Sequence, residues 1–432
     1  MVEAVHKLHH VLGIGFGPAA IAVAAAIEDA REAGRVLGFD LCFLEQRAGP
    51  EWQSQLMLRG TDINHHFLRD FATPRNPRSR FTFANYLKES GRLFHFGHLG
   101  GKTSRIEWED YVKWTARGLA EYVIYRKSVN FIEPVDEGGR ISQLALVCSD
   151  DSRYYADTLL LNTGPVPYVP EQLRPWLGER FFHTCSFIDN MAALDPKKPW
   201  KICLLGSGQS AGESLLYLHD TYSESTMYSV HRKVGFKQVD LGRFSNEAYF
   251  PPETDYFYSL SCEERQRVQD DLHQTNYSSI DEDVDRALYW KMYEDRVMGK
   301  PRIHMLARRL LEDIECIGGE RYSLRFVDTY TGEPSRIEVD IVIICTGYHE
   351  EVFPRSLEPL RPWIELDEKG GPHISYDYRI STTACFGPTI YLNGMCERTH
   401  GISDSASFSM MAIKADRILS SLVSNLSTPP QL

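Results

Sequence analysis

Short apolar runs that are hydrophobic on both faces recur along the chain, with helical segments between them. Such runs are typical of buried parallel strands. We predict six: His10–Gly13, Phe39–Glu45, Thr158–Asn162, Lys201–Gly206, Met227–Arg232 and Asp340–Thr346. Strands that alternate with helices predict an α/β fold with parallel sheets.

Residues 11–27 form the longest apolar segment, and it has the length of a secretory signal core. Gly13, Gly15, Gly17 and Pro18 would break a single helix through it. A strand, a glycine turn and a helix fit this pattern better. Elsewhere no run approaches the ~20 apolar residues of a membrane span, so we expect no membrane association.

Residues 246–297 have a different pattern, aromatic, acid-rich and helical. We predict a small separate helical domain there. A length of 432 residues fits two or three domains. The formal net charge of −12 makes nucleic acid an improbable partner, because phosphates would be repelled. Nine scattered cysteines without a CxxC pattern predict reduced thiols of a cytosolic protein and no metal site.

The first glycine turn, at Gly13, Gly15, Gly17 and Pro18, follows a predicted strand and opens an alanine-rich helix. Glycine lets the backbone approach a pyrophosphate, and the helix N-terminus offers free N–H groups. The next strand ends in Glu45, the kind of acid that binds a ribose hydroxyl. We predict a dinucleotide site, against the alternative of a tight turn without a ligand.

The second glycine turn holds Gly206, Gly208, Gln209 and Ser210, and the strand after it ends in Arg232. Arginine at this position can pair with a 2′-phosphate, which favours NADPH over NADH. The alternative for Arg232 is a solvated strand end.

Two such turns in one chain predict two dinucleotides, one a hydride donor and the other a flavin that receives the hydride. Two buried strands end in Thr-Gly, in residues 160–167 and 343–350, and suit a chain that crosses between two nucleotide domains.

On these motifs the chain resembles the flavin-dependent N-hydroxylating monooxygenases, which hydroxylate the side-chain amine of ornithine or lysine in hydroxamate siderophore biosynthesis. The resemblance rests on the first turn and on residues 51–93, 206–213, 243–253, 275–281, 345–348 and 400–418, which follow in the family order.

The resemblance implies FAD and NADPH as cofactors and a role for each matched residue. FAD would be held by Gly13, Gly15, Gly17, Pro18 and Glu45, with Trp52, Gln53 and Asn64 beside its isoalloxazine ring. NADPH would be held by Gly206, Gly208, Gln209, Ser210 and Arg232. The substrate would be surrounded by Arg69, His65, His66, Asn246, Asn276 and Ser409. Asn276, Arg69 and Gln53 would take part in catalysis; the alternative for Asn246 and Asn276 is that they are helix caps.

We therefore expect two Rossmann-like dinucleotide-binding domains, for FAD and NADPH, and a small, mostly helical substrate domain. The FAD-binding domain would comprise 1–170 and 348–432, the NADPH-binding domain 171–235 and 321–347, and the substrate domain 236–320. The resemblance also implies a homo-oligomer, a tetramer in many members.

Three departures from the family pattern bear on the substrate. Arg69 stands where ornithine enzymes have lysine; because arginine grips carboxylates bidentately, we expect a substrate with a carboxylate. Arg59, His65 and His66 add positive groups nearby, which would suit a second carboxylate. The C-terminal serine pattern is one residue longer, so Ser407 and Ser409 compete for one role.

The expected reaction is hydride transfer from NADPH to FAD, addition of O₂ to form a C4a-hydroperoxide, and attack by a neutral amine. The side-chain amine of L-ornithine is our leading substrate, and the α-amine of L-aspartate is the alternative. A Baeyer–Villiger or S-oxidising monooxygenase is a more distant possibility. A disulfide reductase would need a CxxC or CxxxxC pair, and a binding module would have no use for two nucleotide turns.

Overall fold

The computed structural model describes residues 7–394, 396–405 and 407–426. Its strands are β1 (Lys7–Ile14), β2 (Leu41–Glu45), β3 (Val123–Tyr125), β4 (Val129–Asp136), β5 (Ile141–Cys148), β6 (Arg153–Leu161), β7 (Val166–Pro167), β8 (Phe181–His183), β9 (Lys201–Leu205), β10 (Thr226–His231), β11 (Ile303–Ala307), β12 (Arg309–Ile317), β13 (Arg321–Asp328), β14 (Pro334–Val339), β15 (Ile341–Ile344), β16 (Tyr348–His349) and β17 (Thr389–Leu392).

The α-helices are α1 (Pro18–Glu32), α2 (Phe83–Glu89), α3 (Leu93–Gly97), α4 (Arg105–Arg117), α5 (Phe187–Ala192), α6 (Gln209–Thr221), α7 (Pro251–Ser259), α8 (Cys262–Leu272), α9 (Glu282–Val297), α10 (Glu397–His400) and α11 (Met411–Leu426). All six predicted strands are confirmed, with ends that differ by a few residues: they lie in β1, β2, β6, β9, β10 and β15.

The first sheet has the order β3-β2-β1-β6-β5-β4. Strands β3, β2, β1 and β6 are parallel. The free edge of β6 pairs with antiparallel β5 along its first half and with parallel β17 along its second half. Helix α1 packs on this sheet with Ala20 through Ile27 all buried, because its small side chains allow the helix to approach the strands closely.

The second sheet is entirely parallel, in the order β11-β10-β9-β15-β8. Alternate residues of β9 face opposite layers. Ile202 and Leu204 pack in a cluster with α6, whereas Cys203 and Leu205 pack in a cluster with strands β12 to β14. Both faces are covered, which explains why β9 is apolar from Ile202 to Leu205.

Strands β12, β13 and β14 form an antiparallel sheet that packs on the second parallel sheet. Since β11 pairs with β10 and β12 to β14 pack beside it, residues 303–320 associate with the second nucleotide domain. We therefore propose to end the small helical domain near residue 302 instead of at 320. The other domain boundaries stay predictions.

The helical segment of α7, α8 and α9 contacts the parts of the chain that contain the first and the second parallel sheet. Thr254 in α7 shares a hydrogen bond of 2.7 Å with Ser403, and Tyr258 donates to the Ile374 carbonyl at 3.2 Å. Helix α9 packs on α6. The segment therefore connects the two larger parts.

The chain crosses twice between the parts that contain the two parallel sheets, and the two crossing segments pair with each other. Strands β7 and β16 form a short antiparallel ladder, and the Tyr168 amide donates to the Gly347 carbonyl at 2.9 Å. All nine cysteines are free thiols. Within the described ranges, no helix has the length and apolarity that crossing a membrane requires.

Candidate active site

The first glycine turn follows β1 and leads into α1 as predicted. Gly15 has a φ of +85°, which only glycine adopts at low cost. Pro18 occupies the first position of α1, where its missing N–H costs nothing. The buried Glu45 carboxylate accepts from the amides of Phe16 at 2.7 Å and Arg47 at 2.8 Å, which fixes it beside the turn.

Gly13 serves packing within this turn. A Cβ added there would lie 2.1 Å from the Phe43 ring, so a larger residue would displace a core side chain.

The second glycine turn links β9 to α6. Gly206 has a φ of +143°, and a Cβ there would lie 2.2 Å from the Cys345 carbonyl oxygen. This close approach joins the turn to the end of β15, next to the second crossing. Gly208 caps α6, and Gln209 is its first residue.

A cavity of about 1640 Å³ extends between the two turns. The predicted site residues that line it are Gly15, Gly17, Pro18, Glu45, Trp52, Gln53, Gly206, Gly208, Gln209, Ser210, Arg232 and Asn276. The predicted residues that lie outside its lining are Gly13, Asn64, His65, His66, Arg69, Asn246 and Ser409.

Hydrogen bonds through two serines connect Arg69 to the cavity wall. Its Nη1 donates to Ser409 Oγ at 2.9 Å, and Ser407 Oγ, on the cavity wall, lies 2.9 Å from Ser409 Oγ. The rings of Tyr249 and Phe250 lie 5.8 Å from the guanidinium carbon. Burial lowers the pKa of Arg69 from its usual value, yet an arginine stays charged at neutral pH.

Three serines near the C-terminal motif have different partners, whereas the sequence suggested one role for either Ser407 or Ser409. Ser409 contacts Arg69, Ser407 contacts Ser409, and Ser405 accepts from Asn276 Nδ2 at 3.1 Å. Sequence reasoning missed Ser405, although it lies two residues before Ser407 in the same motif.

The neighbouring histidines do not form a cationic cluster at the cavity. His65 packs edge-on against Trp108, with ring centres 5.0 Å apart, and lies 5.4 Å from Phe408. Burial lowers the pKa of His65 to about 4, so the imidazole is neutral at physiological pH. His66 and Arg59 are exposed, and neither lines the cavity.

A family model described as L-lysine 6-monooxygenase/L-ornithine 5-monooxygenase matches residues 7–350. The chain belongs to this family. It is therefore an amine N-monooxygenase of the flavin type. Membership excludes the disulfide-reductase, Baeyer–Villiger and binding-module alternatives.

Three relatives of this amine N-monooxygenase illustrate the similarity. The L-ornithine N(5)-monooxygenase of Pseudomonas aeruginosa is 31% identical over 427 residues, covering 97% of this chain and 94% of the relative. The structure of L-lysine 6-monooxygenase from Pseudomonas syringae is 41% identical, with a TM-score of 0.88 over 96% of this chain and 99% of that one. The Kutzneria sp. 744 ornithine N-hydroxylase, solved with reduced FAD, NADP⁺ and L-ornithine, is 29% identical, with a TM-score of 0.91 over 98% and 100% of the two chains.

Asn246 and Asn64 are among the predicted residues outside the cavity lining of this monooxygenase, and in the described part of the chain no hydrogen bond joins either to another predicted site residue. Asn246 donates from its side chain to the Gly242 carbonyl at 3.2 Å. Asn64 is exposed. Their roles stay predictions. Arg232 lies on the wall as expected, next to the basic residue Lys233. Arg309, which sequence reasoning missed, lines the same cavity.

Acidic side chains line the cavity of this amine N-monooxygenase near Asn276. Glu350, Glu397 and Asp404 all contribute, and Tyr277 donates a hydrogen bond to Glu397. Burial raises the pKa of Glu350 to about 8, and the nearby Glu397 adds to the rise. Glu350 is therefore protonated near neutral pH, and a cation bound beside it would favour its ionised form.

Asp404 also belongs to a buried group in which atoms of Cys396, His400 and Asp404 lie within 4.8 Å of one another. The ammonium of Lys414, itself 3% exposed, donates to Asp404 at 2.8 Å. Because a cation already lies beside these atoms, we assign the group to a buried ion pair and not to a metal.

A polar junction joins α6, α4 and the segment before α9. Gln209 donates to Asp281 and Glu213, both at 3.0 Å, and its Oε1 accepts from the Asp281 amide at 2.8 Å. Glu213 pairs with Arg105 at 2.7 Å. Burial raises the pKa of Asp281 to about 7, helped by the charges of Asp62, Asp283 and Glu213.

Proposed function

We propose that this chain is an FAD- and NADPH-dependent monooxygenase that hydroxylates the side-chain amine of a basic amino acid, with L-ornithine the leading substrate. The observation that carries the proposal is the shared cavity. Both glycine turns line it, and so does Asn276, while Arg69 reaches its wall through Ser407 and Ser409.

The residues fit the two cofactors. Gly15 and Glu45 offer the close backbone and the acid that an adenosine diphosphate requires in the first turn. Directly after β10, Arg232 and Lys233 place positive charge on the cavity wall where a 2′-phosphate would bind. Bound FAD, once reduced by NADPH, would activate O₂ for transfer of one oxygen atom to the amine.

The protein's part in the reaction is to bind and orient the amino acid. Arg69 would pair with the α-carboxylate, and the rings of Tyr249 and Phe250 exclude water from that contact. Asn276 donates to Ser405, which leaves its Oδ1 to accept an N–H of the amine. The reacting amine must be neutral, and a free alkylamine with a pKa of ~10.4 is almost entirely protonated near pH 7. The site must therefore bind the amine in a form that can lose its proton.

The carboxyl groups on the cavity wall favour a basic amino acid over aspartate. Glu350 and Glu397 would accept hydrogen bonds from a bound ammonium group and would ionise beside it, whereas a second carboxylate would find no free cation among them. The positive groups that suggested aspartate supply little charge to the cavity, because His65 is half-buried and neutral and Arg59 and His66 are exposed.

L-Lysine is the second candidate. It is favoured by the 41% identity to the structure named L-lysine 6-monooxygenase, against 31% for the ornithine enzyme of Pseudomonas aeruginosa. Ornithine leads because the segments that contain Asn246 and Asn276 match the ornithine branch.

The test is a panel of amines with purified, FAD-loaded protein. NADPH and O₂ consumption are measured together with product masses for L-ornithine, L-lysine, L-aspartate and putrescine, and NADH replaces NADPH in a parallel series. We expect a product 16 mass units heavier than L-ornithine and a clear preference for NADPH. Coupled oxidation of aspartate or putrescine with both basic amino acids inert would refute the proposal.

A further inference from the structure

The side chain of Gln209 contacts protein groups at both ends of its amide. Its Nε2 donates to Glu213 and to the Asp281 carboxyl group, both at 3.0 Å, and its Oε1 accepts from the Asp281 backbone amide at 2.8 Å. A primary amide has only two N–H donors, so this side chain has no donor left for a bound nucleotide. Only the backbone of Gln209, at the start of α6 on the cavity wall, stays available to one.

Asp281 is turned towards α6 and away from its own helix. It precedes α9, where an aspartate side chain commonly caps the helix, but it makes no capping hydrogen bond to the described residues of that helix. Close packing accompanies its contact with Gln209, since a Cβ added at Gly212 would lie 2.8 Å from Val284 Cγ1 and 3.4 Å from Ile280 Cγ2. The first turn of α6 therefore holds the chain at the start of α9 by hydrogen bonds and by packing.

Asn276, which we place beside the substrate amine, lies five positions before Asp281. Its side chain donates to Ser405 at 3.1 Å, and it lines the cavity. Between Asn276 and Asp281, Ser278 has a φ of +56°, a left-handed conformation that a serine keeps only where its surroundings hold it. The contact between Gln209 and Asp281 lies at the far end of this segment, residues 276–281, and is placed to fix its conformation.

We propose that the Gln209 side chain is a positioning residue, which holds residues 276–281 so that Asn276 meets the substrate amine, and that it does not itself bind NADPH. The proposal rests on the proposed function for the identity of the amine. When the contact is lost, the amino acid must order the segment on binding, and this cost weakens its own binding and not that of the nucleotide. Through this contact, the turn that receives the nucleotide fixes the residue that receives the amine.

Gln209→Ala in the full, FAD-loaded chain separates the two roles. We expect the KM for L-ornithine at saturating NADPH to rise about ten-fold, because both hydrogen bonds to Asp281 are lost. The NADP⁺ dissociation constant, measured by titration calorimetry, should stay within about three-fold of the unmodified value. Amide hydrogen exchange in residues 276–281 should become about ten-fold faster, a readout that needs no turnover. Arg232→Ala should do the reverse, weakening NADP⁺ binding and leaving the KM and the exchange unchanged.

Two variants of Asp281 add a rescue test. Asp281→Ala removes the side-chain acceptor and should raise the KM for L-ornithine as Gln209→Ala does. Asp281→Asn keeps an oxygen for Gln209 Nε2, so its KM should stay within about three-fold of the unmodified value. Gln143→Ala is the matched control, because it deletes another glutamine-to-aspartate hydrogen bond, of 2.9 Å to Asp157. It should change neither constant, and flavin content and the unfolding temperature report that every variant is folded.

The proposal fails if Gln209→Ala weakens NADP⁺ binding and leaves the KM and the exchange unchanged, because the side chain would then be a nucleotide ligand. It also fails if both constants change equally, which would indicate a general disturbance of α6. If the unmodified protein hydroxylates no amino acid, the proposed function fails, and the exchange rates alone decide the positioning role. Unchanged rates would then refute that role, and faster exchange confined to residues 276–281 would support it.

Discussion

Arg69 shows how one side chain can be placed by residues from distant parts of the chain. Its guanidinium reaches Ser409, 340 positions away, and lies against the rings of Tyr249 and Phe250. Both Arg69 and Ser409 were predicted beside the substrate, and the structure brings them together. The aromatic neighbours were not predicted, because nothing local in the sequence separates a ring that shields a cation from one that packs in a core.

We expect Arg69→Ala to remove most coupled hydroxylation while NADPH oxidation continues and yields H₂O₂. Loss of a shielded, charge-assisted pair to a carboxylate costs about 2–5 kcal/mol of binding. The measurement is the ratio of hydroxylated product to NADPH consumed. Arg59→Ala, at an exposed arginine outside the cavity lining, is the control and should keep the normal ratio. Full coupling in Arg69→Ala would mean that the carboxylate binds elsewhere.

The packing of His65 makes the stability of the folded protein depend on pH. Its folded pKa is about 4, whereas an unfolded histidine titrates near 6.5. The folded state therefore binds the proton less readily than the unfolded state does. The stability that neutral His65 contributes is present above about pH 6.5 and is lost as the pH falls towards 4.

His65→Phe should keep the contacts with Trp108 and Phe408 and reduce the acid sensitivity. We expect the unfolding free energy to fall less between pH 7 and pH 4.5 than in the unmodified protein, by on the order of 1–2 kcal/mol. His66→Ala, at an exposed side chain, should retain the original sensitivity and most of the activity on L-ornithine. An unchanged acid profile in His65→Phe would contradict the assignment.

At the scale of elements, the sequence revealed six strands of the two parallel sheets, and it missed β3, β8, β11 and β17 of those sheets and the antiparallel strands. Strands β9 and β15 are apolar on both faces because layers cover both sides of their sheet. Strand β12 has exposed and half-buried positions along most of its length, so it lacks a continuous apolar run. Its partners β13 and β14 pack on the second parallel sheet through only part of their residues. Such amphipathic strands resemble loops or helices until their pairing is known.

The junction between α6 and the start of α9 gives an element-scale prediction. Since the folded pKa of Asp281 is raised to about 7, the folded state binds this proton more tightly than the unfolded state does. The contribution of Asp281 is therefore present below about pH 4 and is lost as the pH rises through 7.

Asp281→Asn should stabilise the protein at pH 8, on the order of 2 kcal/mol, and the gain should shrink towards pH 5. The amide keeps an acceptor for Gln209 and removes the repulsion from Asp62, Asp283 and Glu213. Denaturant unfolding at the two pH values measures the effect. Asp313→Asn, an exposed acid on β12, is the control. A gain that is equal at both pH values would show that titration of Asp281 is not its source.

The whole molecule is organised around one cavity to which each part of the chain contributes. The first turn supplies Glu45, the second supplies Gln209 and Arg232, and the helical segment supplies Asn276. The turns could be predicted because glycine spacing is a local signal. The junction of Gln209, Asp281 and Glu213 could not, because it depends on how separate parts meet.

Because the flavin would contact several parts of the chain at once, its removal should destabilise the whole molecule. A ligand that binds only the folded state stabilises it by about 2.7 kcal/mol at a concentration of 100 Kd. We expect flavin-free protein to unfold several degrees lower and added FAD to restore the original temperature. Gly13→Ala should fail to recover, since its Cβ would lie 2.1 Å from the Phe43 ring and distort the first turn. Gly38→Ala, where the added Cβ meets no atom within 4 Å, is the control and should recover fully. Equal unfolding temperatures with and without FAD would exclude the cavity as the flavin site.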